Sequence, residues 1–480
     1  MTDTNVGRRV TRGGVARAAS FGAGSLVTAI GSIFLLRHLG LVDFGRYGTV
    51  MALLAILAGV TEGGLTTTAT RDMALLEQGG ERRGLLRDLV ALRILLTSAG
   101  IAAAVGFAAV AGYDSTMVLG TLVAGVGVLF VSVQAALLVP LAVDLRNGRV
   151  AVSEVARQSL LVGGIIVLAL AGAGLGSFFL NQFVAGALLL ALSPMLVGRG
   201  AVVLPRWNWP RSRELLRAAA PLAVATVLGT IYFRILVVLT SVLAVEAETA
   251  RFVTSARIFE MAIGLPLLLS GVVLPVLTTA ARDDPEQLRY VTQRVTEVAA
   301  AAGGLLFVVL LVGARPILVL LGGEEFAEVA PVLRIQSPMI VTLFLASAWQ
   351  PVLVAMHHQR AVLVIAGLGL AAAVIGGLVL VPLFDARGAA VAASAAEMVN
   401  AGAAYIALRR YGPGRELSLA WLPKLVLAAG LGVAVGLLGP GPDLLETVLG
   451  AAVFAIVAIA TRLLPPELLH SLLPHRPAQP

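Results

Sequence analysis

The sequence predicts an all-α polytopic membrane protein, and three observations predict it. Hydrophobic residues make up 58% of the 480 positions and charged residues only 13%, where a soluble domain carries about 25% charged. Apolar runs of about 18 residues or more recur from end to end, each long enough to cross the hydrocarbon core as a helix. The basic residues gather in small clusters between alternate runs, as the positive-inside rule requires. The mean hydropathy of +0.94 agrees. No polar stretch is long enough to fold as a separate soluble domain.

Fourteen spans follow from the apolar runs. The first, 15–37, comes after the arginine-bearing start MTDTNVGRRVTRGGVARAASF. That start resembles a signal n-region, but the apolar run continues from Phe21 to Leu36 without a cleavage site, so it reads as an uncleaved span. The polar link VDFGRYGT, 42–49, leads into 46–69. Next come 88–112 and 116–140, separated by only a few residues, and then 150–172 and 177–197, joined across Gly176. The longest polar connection, 198–217, precedes 218–243. The remaining spans are 251–280, 291–314, 329–356, 361–382, 388–408, 424–439 and 443–464. The thirteenth is short and stops at Pro440; were it re-entrant, the C-terminus would change sides.

Placing the N-terminus in the cytoplasm puts 25 of the 35 basic residues on the cytoplasmic side. Five, Arg37, Arg46, Arg251, Arg315 and Arg387, fall opposite, and Arg93, Arg157, Arg234, Arg257 and Arg334 fall within spans. This distribution explains the net charge of +8 without nucleic acid. The chain has no cysteine, which excludes disulfides and thiolate metal sites.

The polar punctuation repeats. Asp43, Arg46, Tyr47 and Thr49 have counterparts in Glu248, Arg251, Phe252 and Thr254 of AETARFVT, 247–254. The second span ends TTTATRD and the eighth LTTAARD, so Arg71-Asp72 matches Arg282-Asp283. The short links at Gly176 and Gly388 rhyme in the same way. Two six-helix repeats are therefore expected, forming a two-lobed bundle around a central cavity, with two C-terminal spans added. The expected divisions are 1–197 (N-terminal lobe), 198–217 (cytoplasmic linker), 218–410 (C-terminal lobe) and 411–480 (two spans and a cytoplasmic tail). Repeats of this kind mark transporters in which one bundle rocks against the other.

Three stretches resemble one family. RHLGLVDFGRYGTVMALLAILAGVTEGGLTTTATRD carries an LG…FG.Y link before a helix ending in Thr and Arg. VPLFDARGAAVAASAAEMV, 381–399, has Gly-Ala-Ala after a short link, and YFRILVVL, 232–239, resembles that family's seventh span. The family is the polysaccharide transporters, lipid-linked oligosaccharide flippases related to lipid II flippases and to multidrug and toxic-compound extruders. The resemblance implies twelve to fourteen helices in two lobes, and movement of polyprenyl-pyrophosphate-linked sugars from the inner to the outer leaflet of the cell membrane. It also implies a lipid-linked glycan as substrate, glycosyltransferases or polymerases of the same pathway as partners, and H+ or Na+ as coupling ion. Family members often carry an acid directly after the arginine of the seventh span. This chain has Ile235 there, which counts against acid-based coupling at that position.

Each charge at bilayer depth costs about 2.5–3.5 kcal/mol on insertion scales and asks for a reason. Arg234 is the clearest case: Thr226, Thr230, Arg234 and Ser241 share a helical stripe about 80° wide. Its guanidinium either grips a pyrophosphate as a planar fork or locks helices by pairing with an acid. Glu62, the deepest acid, is a partner for Arg234, a proton site or a buried neutral carboxyl. Arg257 and Glu260 are spaced to pair locally, and Arg37 with His38 sits where long side chains snorkel to the interface. Arg93 and Arg334 lie about a turn inside their spans and complete the candidate cavity arginines. Glu397, sharing a face with Ser394 and Asn400, suits an interhelical hydrogen bond. No Walker loop, Rossmann glycine pattern or metalloprotease motif is present, so no cofactor is expected. Two further readings stand beside the flippase. A drug/cation antiporter would place acids in its cavity. A membrane glycosyltransferase or polymerase would use a carboxylate such as Asp43 beside a large outer domain, and every outer loop here is short.

Overall fold

A computed structural model describes residues 3–77, 79–198, 203–439 and 441–464. Residues 199–202 of the expected linker, Pro440, and the tail 465–480 with Arg476 lie outside the described residues, as does the side chain of Asp283. The described chain is α-helical apart from short turns and two 3-10 segments. Its helices are α1 (Asp3–Glu62), α2 (Leu65–Ala74), α3 (Gly80–Val110), α4 (Ser115–Val143), α5 (Asn147–Leu170), α6 (Leu175–Val197), α7 (Trp209–Leu243) and α8 (Glu246–Asp283). They continue as α9 (Pro285–Val312), α10 (Ala314–Gly322), α11 (Ala330–Gln336), α12 (Met339–Ala355), α13 (Gln359–Tyr411), α14 (Trp421–Leu438) and α15 (Asp443–Ala460).

Among the described residues ten helices are long and apolar enough to cross a membrane, or eleven when the bent pair Glu324–Gln336 and Met339–Ala355 counts as one span. The protein is a multi-pass membrane protein. The number falls short of the fourteen expected partly because two long helices each carry two runs across a kink. In α1 the kink is at Gly40, whose φ of 70° is open to a residue without Cβ. In α13 it is at Asp385, φ 51°, one of the few side chains that tolerate this region. The second expected span, 46–69, is not one helix: Gly63 and Gly64 take φ of 44° and 69° and separate α1 from α2. The tenth, 329–356, is bent by 49° near Pro338. The short thirteenth run is the continuous helix α14.

The chain packs as two compact units, one of Gly24–Val253 and the other of Met1–Ala23 with Thr254–Pro480. In the first, α4 and α6 approach backbone to backbone. A Cβ at Gly127 would meet the Gln182 carbonyl at 2.4 Å, so only glycine allows this approach. A buried apolar cluster of Leu65, Met73, Leu89, Val139 and Leu215 joins α2, α3, α4 and α7. In the second unit α9 packs against α12, α14 and α15. There Trp349 Nε1 donates to Thr296 Oγ1 at 3.0 Å. Large apolar side chains such as Leu119, Val167, Ile375 and Val448 are exposed along the helices, a surface suited to lipid rather than water.

Candidate functional site

The break after Glu62 is where sequence and chemistry first meet. A new helix starts at Leu65, so its leading N–H groups need acceptors. The Glu62 carboxylate supplies them, accepting from Gly64 N at 2.8 Å and Thr66 N at 3.2 Å. Arg93 of α3, only 2% exposed, reaches the same carboxylate at 3.2 Å and also donates to Thr66 Oγ1. Its Nε is buried with no hydrogen-bond partner. The acid weighed as a partner for Arg234 is thus held by Arg93, and the three elements α1, α2 and α3 meet on one ion pair.

A second cluster grows from the link 42–49. Arg46 donates to Asp43 at 3.1 Å, an i,i+3 pair on α1. Both its Nε and its Nη2 reach Glu246 at the start of α8, the latter at 3.1 Å, which makes a bidentate grip. Asp114, 3.6 Å from Nε, caps α4 by accepting from Met117 N. Three carboxylates therefore surround one guanidinium. A cavity of about 230 Å³ opens beside it, lined also by Tyr113 and Ser241. The Tyr113 hydroxyl and Ser241 Oγ are within hydrogen-bond distance. Burial pushes the Tyr113 phenol above its ordinary pKa, with the Ser241 bond offsetting part of the rise, so it stays protonated. In the corresponding later link Arg251 bonds Glu248, again i,i+3.

Arg234 is half-buried on α7. Of its stripe, Thr226 and Thr230 donate to carbonyls one turn back. Thr230 also packs on α1 at Gly59, where an added Cβ would lie 2.5 Å from its Oγ1. Arg37 is exposed on α1. Its neighbour His38 holds the α5–α6 turn, with Nε2 2.7 Å from the Ala173 carbonyl and the ring tilted against Phe178.

In the second unit Arg257 Nη1 donates to Glu260 at 2.8 Å, the local pair its spacing suggested. Glu397, 1% exposed, accepts from Asn400 at 3.3 Å. Gln350 of α12 donates to that same Asn400 at 3.4 Å, so the polar face of α13 is tied across to a second helix. Arg334 is exposed on α11 and donates to the Leu311 carbonyl at 3.2 Å. The structure thus brings Arg93 to Glu62 and Arg257 to Glu260, while Arg37, Arg234 and Arg334 stand on separate helices. No sequence pattern points to the grouping of Asp114 and Glu246 on Arg46. The one local signal was the Asp43–Arg46 spacing.

Among solved structures the fold is similar to a lipid II flippase, MurJ, in an inward closed conformation. The TM-score is 0.77 with 12% identity over 93% of this chain and 99% of that one. It is also similar to an inward-facing multidrug resistance MATE family transporter of the MOP superfamily, at TM-score 0.63 and 14% identity over 82% and 96%. A MOP superfamily transporter from Pyrococcus furiosus, described as having a binding pocket of reverse polarity, matches at TM-score 0.55 and 14% identity over 83% and 94%. At these identities the likeness is one of fold. No curated protein matches the sequence. The family model for polysaccharide biosynthesis proteins matches residues 34–331, more than half of the chain, and the chain belongs to that family.

Proposed function

We propose that this protein is an alternating-access flippase that moves a polyprenyl-pyrophosphate-linked oligosaccharide, or a related lipid-linked glycan precursor, across the cell membrane. In this reading the N-terminus is cytoplasmic, fourteen spans form two six-helix lobes and a C-terminal pair, and cationic side chains of the spans hold the pyrophosphate. Arg234 is its principal anchor, with Arg37 and Arg334 as further cations. The membership in a polysaccharide biosynthesis family supports a glycan substrate. The observation that carries the reading is the balance of charge inside the spans. Five candidate arginines stand against three candidate acids, and two of those acids, Glu62 and Glu260, are paired one to one with Arg93 and Arg257, so the net charge offered to a substrate is cationic. A planar guanidinium suits a pyrophosphate, whereas a cationic drug needs carboxylates. Enzymes and polymerases of the same glycan pathway are the partners this activity requires, and a coupling ion, H+ or Na+, is consistent with it.

The test is transport by Arg234 variants, measured by complementation of a flippase-deficient strain beside thermal melting in detergent. Arg234→Ala should insert and melt normally yet lose transport by roughly tenfold or more, the cost of one charge-assisted contact. Arg234→Lys keeps the charge without the fork and should retain part of the activity. A normally folded Arg234→Ala protein with full transport removes this residue from the mechanism. A lowered melting point, restored by deleting an acidic partner, makes Arg234 a helix lock instead. Proton-linked efflux of a cationic dye, with no glycan transport, would favour the antiporter reading.

A further inference from the structure

The segment ahead of α7 is built in a way that transport through the bundle does not require. Residues 203–208 belong to no helix, Asn208 is extended, and Pro205 and Pro210 bracket Arg206-Trp207-Asn208-Trp209. Asn208 caps α7, accepting from Arg211 N, and Pro210 takes a first-turn position where its missing N–H costs nothing. Trp207 and Trp209 lie two residues apart and stack, centroids 6.0 Å apart and planes 22° from parallel. Both indoles are nonetheless about half exposed, 47% and 56%. A stacked, fixed aromatic pair left open on a surface is unusual, because burial of each ring would contribute more than stacking.

What fixes the pair is its seat. Arg206 N donates to the Arg87 carbonyl, Arg211 lies 3.9 Å from the buried Asp88, and Val203 and Leu215 join the apolar cluster of α2, α3 and α7. The indoles are therefore held level with Arg87 and Asp88 on α3. From Asp88 to Val110 that helix is about 33 Å long, close to the ~30 Å thickness of the hydrocarbon core. A hydrocarbon core with one edge at Val110 would have its other edge at the level of the pair, the depth at which tryptophan is enriched. Around it Arg87, Arg206, Arg213 and Arg217 are exposed, with Glu214 as the one exposed acid of α7's first turns.

We propose that this aromatic and arginine surface, residues 203–217 with Arg87, is a docking site for anionic phospholipid headgroups. The arginines take the phosphates and the indole pair seats at the glycerol level, anchoring the start of α7 to the leaflet. Arginine's fork matches a phosphodiester, and each such residue near an anionic surface contributes a roughly fivefold preference. The site is independent of which substrate the protein carries.

The chain has four tryptophans, and the other two, Trp349 and Trp421, are buried, so indole quenching by brominated lipid reports on this surface. The full-length protein is placed in nanodiscs of phosphatidylcholine containing a minority of brominated phosphatidylglycerol or of brominated phosphatidylcholine. Brominated phosphatidylglycerol should quench several-fold more strongly at equal content, and high salt should shrink the difference. Trp207→Phe/Trp209→Phe should abolish most of the quenching. Arg206→Gln/Arg213→Gln/Arg217→Gln should keep the quenching but level the two lipids. Equal quenching by both lipids in the unaltered protein overturns the proposal, and so does a preference that survives the triple replacement. Quenching relieved by a polyprenyl pyrophosphate but indifferent to phosphatidylglycerol would make the surface a substrate port, which also overturns it.

Discussion

With Arg93 replaced by methionine, the Glu62 carboxylate keeps its two backbone donors but loses its cation. Removing one partner of a fully buried pair costs about 3–5 kcal/mol. Glu62 is 35% exposed, so solvent screening brings the expected loss down to about 1–3 kcal/mol. Melting in detergent should show this loss for Arg93→Met, and Arg93→Met/Glu62→Gln should recover most of it, since no lone charge remains. An unchanged melting point in the single variant would show that the pair contributes nothing to stability. The acid itself was legible in the sequence as the deepest carboxylate, but its partner was not. Arg93 meets it only because α1 stops at Gly63-Gly64, and that break was hidden inside what reads as an unbroken apolar run. The TEGG string was the available signal. Arg46 teaches the same lesson. Its bond to Asp43 follows from local spacing, whereas Asp114 and Glu246 arrive from elements far along the chain, where no pattern of one sequence points.

At the scale of helices, the apolar runs located nearly every element, because length and hydropathy decide whether a helix crosses a bilayer. They also placed the breaks at Gly40 and Asp385, which fall between expected spans, but not the one at Gly63 and Gly64, which lies inside an apolar run and depends on backbone angles. Nor did they tell which of 52 glycines carry contacts. Gly45 of α1 is one: an added Cβ would lie 2.5 Å from the Cβ and 2.6 Å from the Cα of Ala250. The obstacle includes backbone, so the start of α8 would have to move away and strain the Arg46–Glu246 grip. Gly45→Ala is therefore expected to lower stability by about 1–3 kcal/mol, the usual range for overpacking. Gly106 of α3 is exposed with nothing within 4 Å. Gly106→Ala should be neutral or gain up to about 1 kcal/mol through helix propensity. Equal melting of the two variants would show that α1 and α8 do not depend on this approach.

For the whole molecule, the distribution of arginines sets an orientation that can be measured directly. The absence of native cysteine makes single introduced cysteines clean reporters. Ser115, Ala247, Gly148 and Gln287 are all exposed. Ser115→Cys and Ala247→Cys should react with an impermeant maleimide from outside intact cells, and Gly148→Cys and Gln287→Cys only after lysis. The reverse pattern would invert the molecule and place the clustered arginines outside. The family was legible from three short stretches, and the all-helical class from composition with the length and spacing of the apolar runs, because both rest on features that survive without tertiary knowledge.

The junction of α1, α2 and α3 also constrains how the protein is made. Arg93 follows Glu62 by 31 positions. At about 5–20 residues per second of synthesis, the acid is translated roughly 2–6 s before its counter-ion. During that interval α1 and α2 present a carboxylate that lipid alone solvates poorly, so they are expected to wait beside the insertion machinery and enter the bilayer together with α3. Nascent chains arrested just before Arg93 should remain extractable from the membrane by alkaline carbonate, and those arrested beyond α3 should not. Integration of both to the same extent would show that the first helices enter the bilayer without waiting for the third.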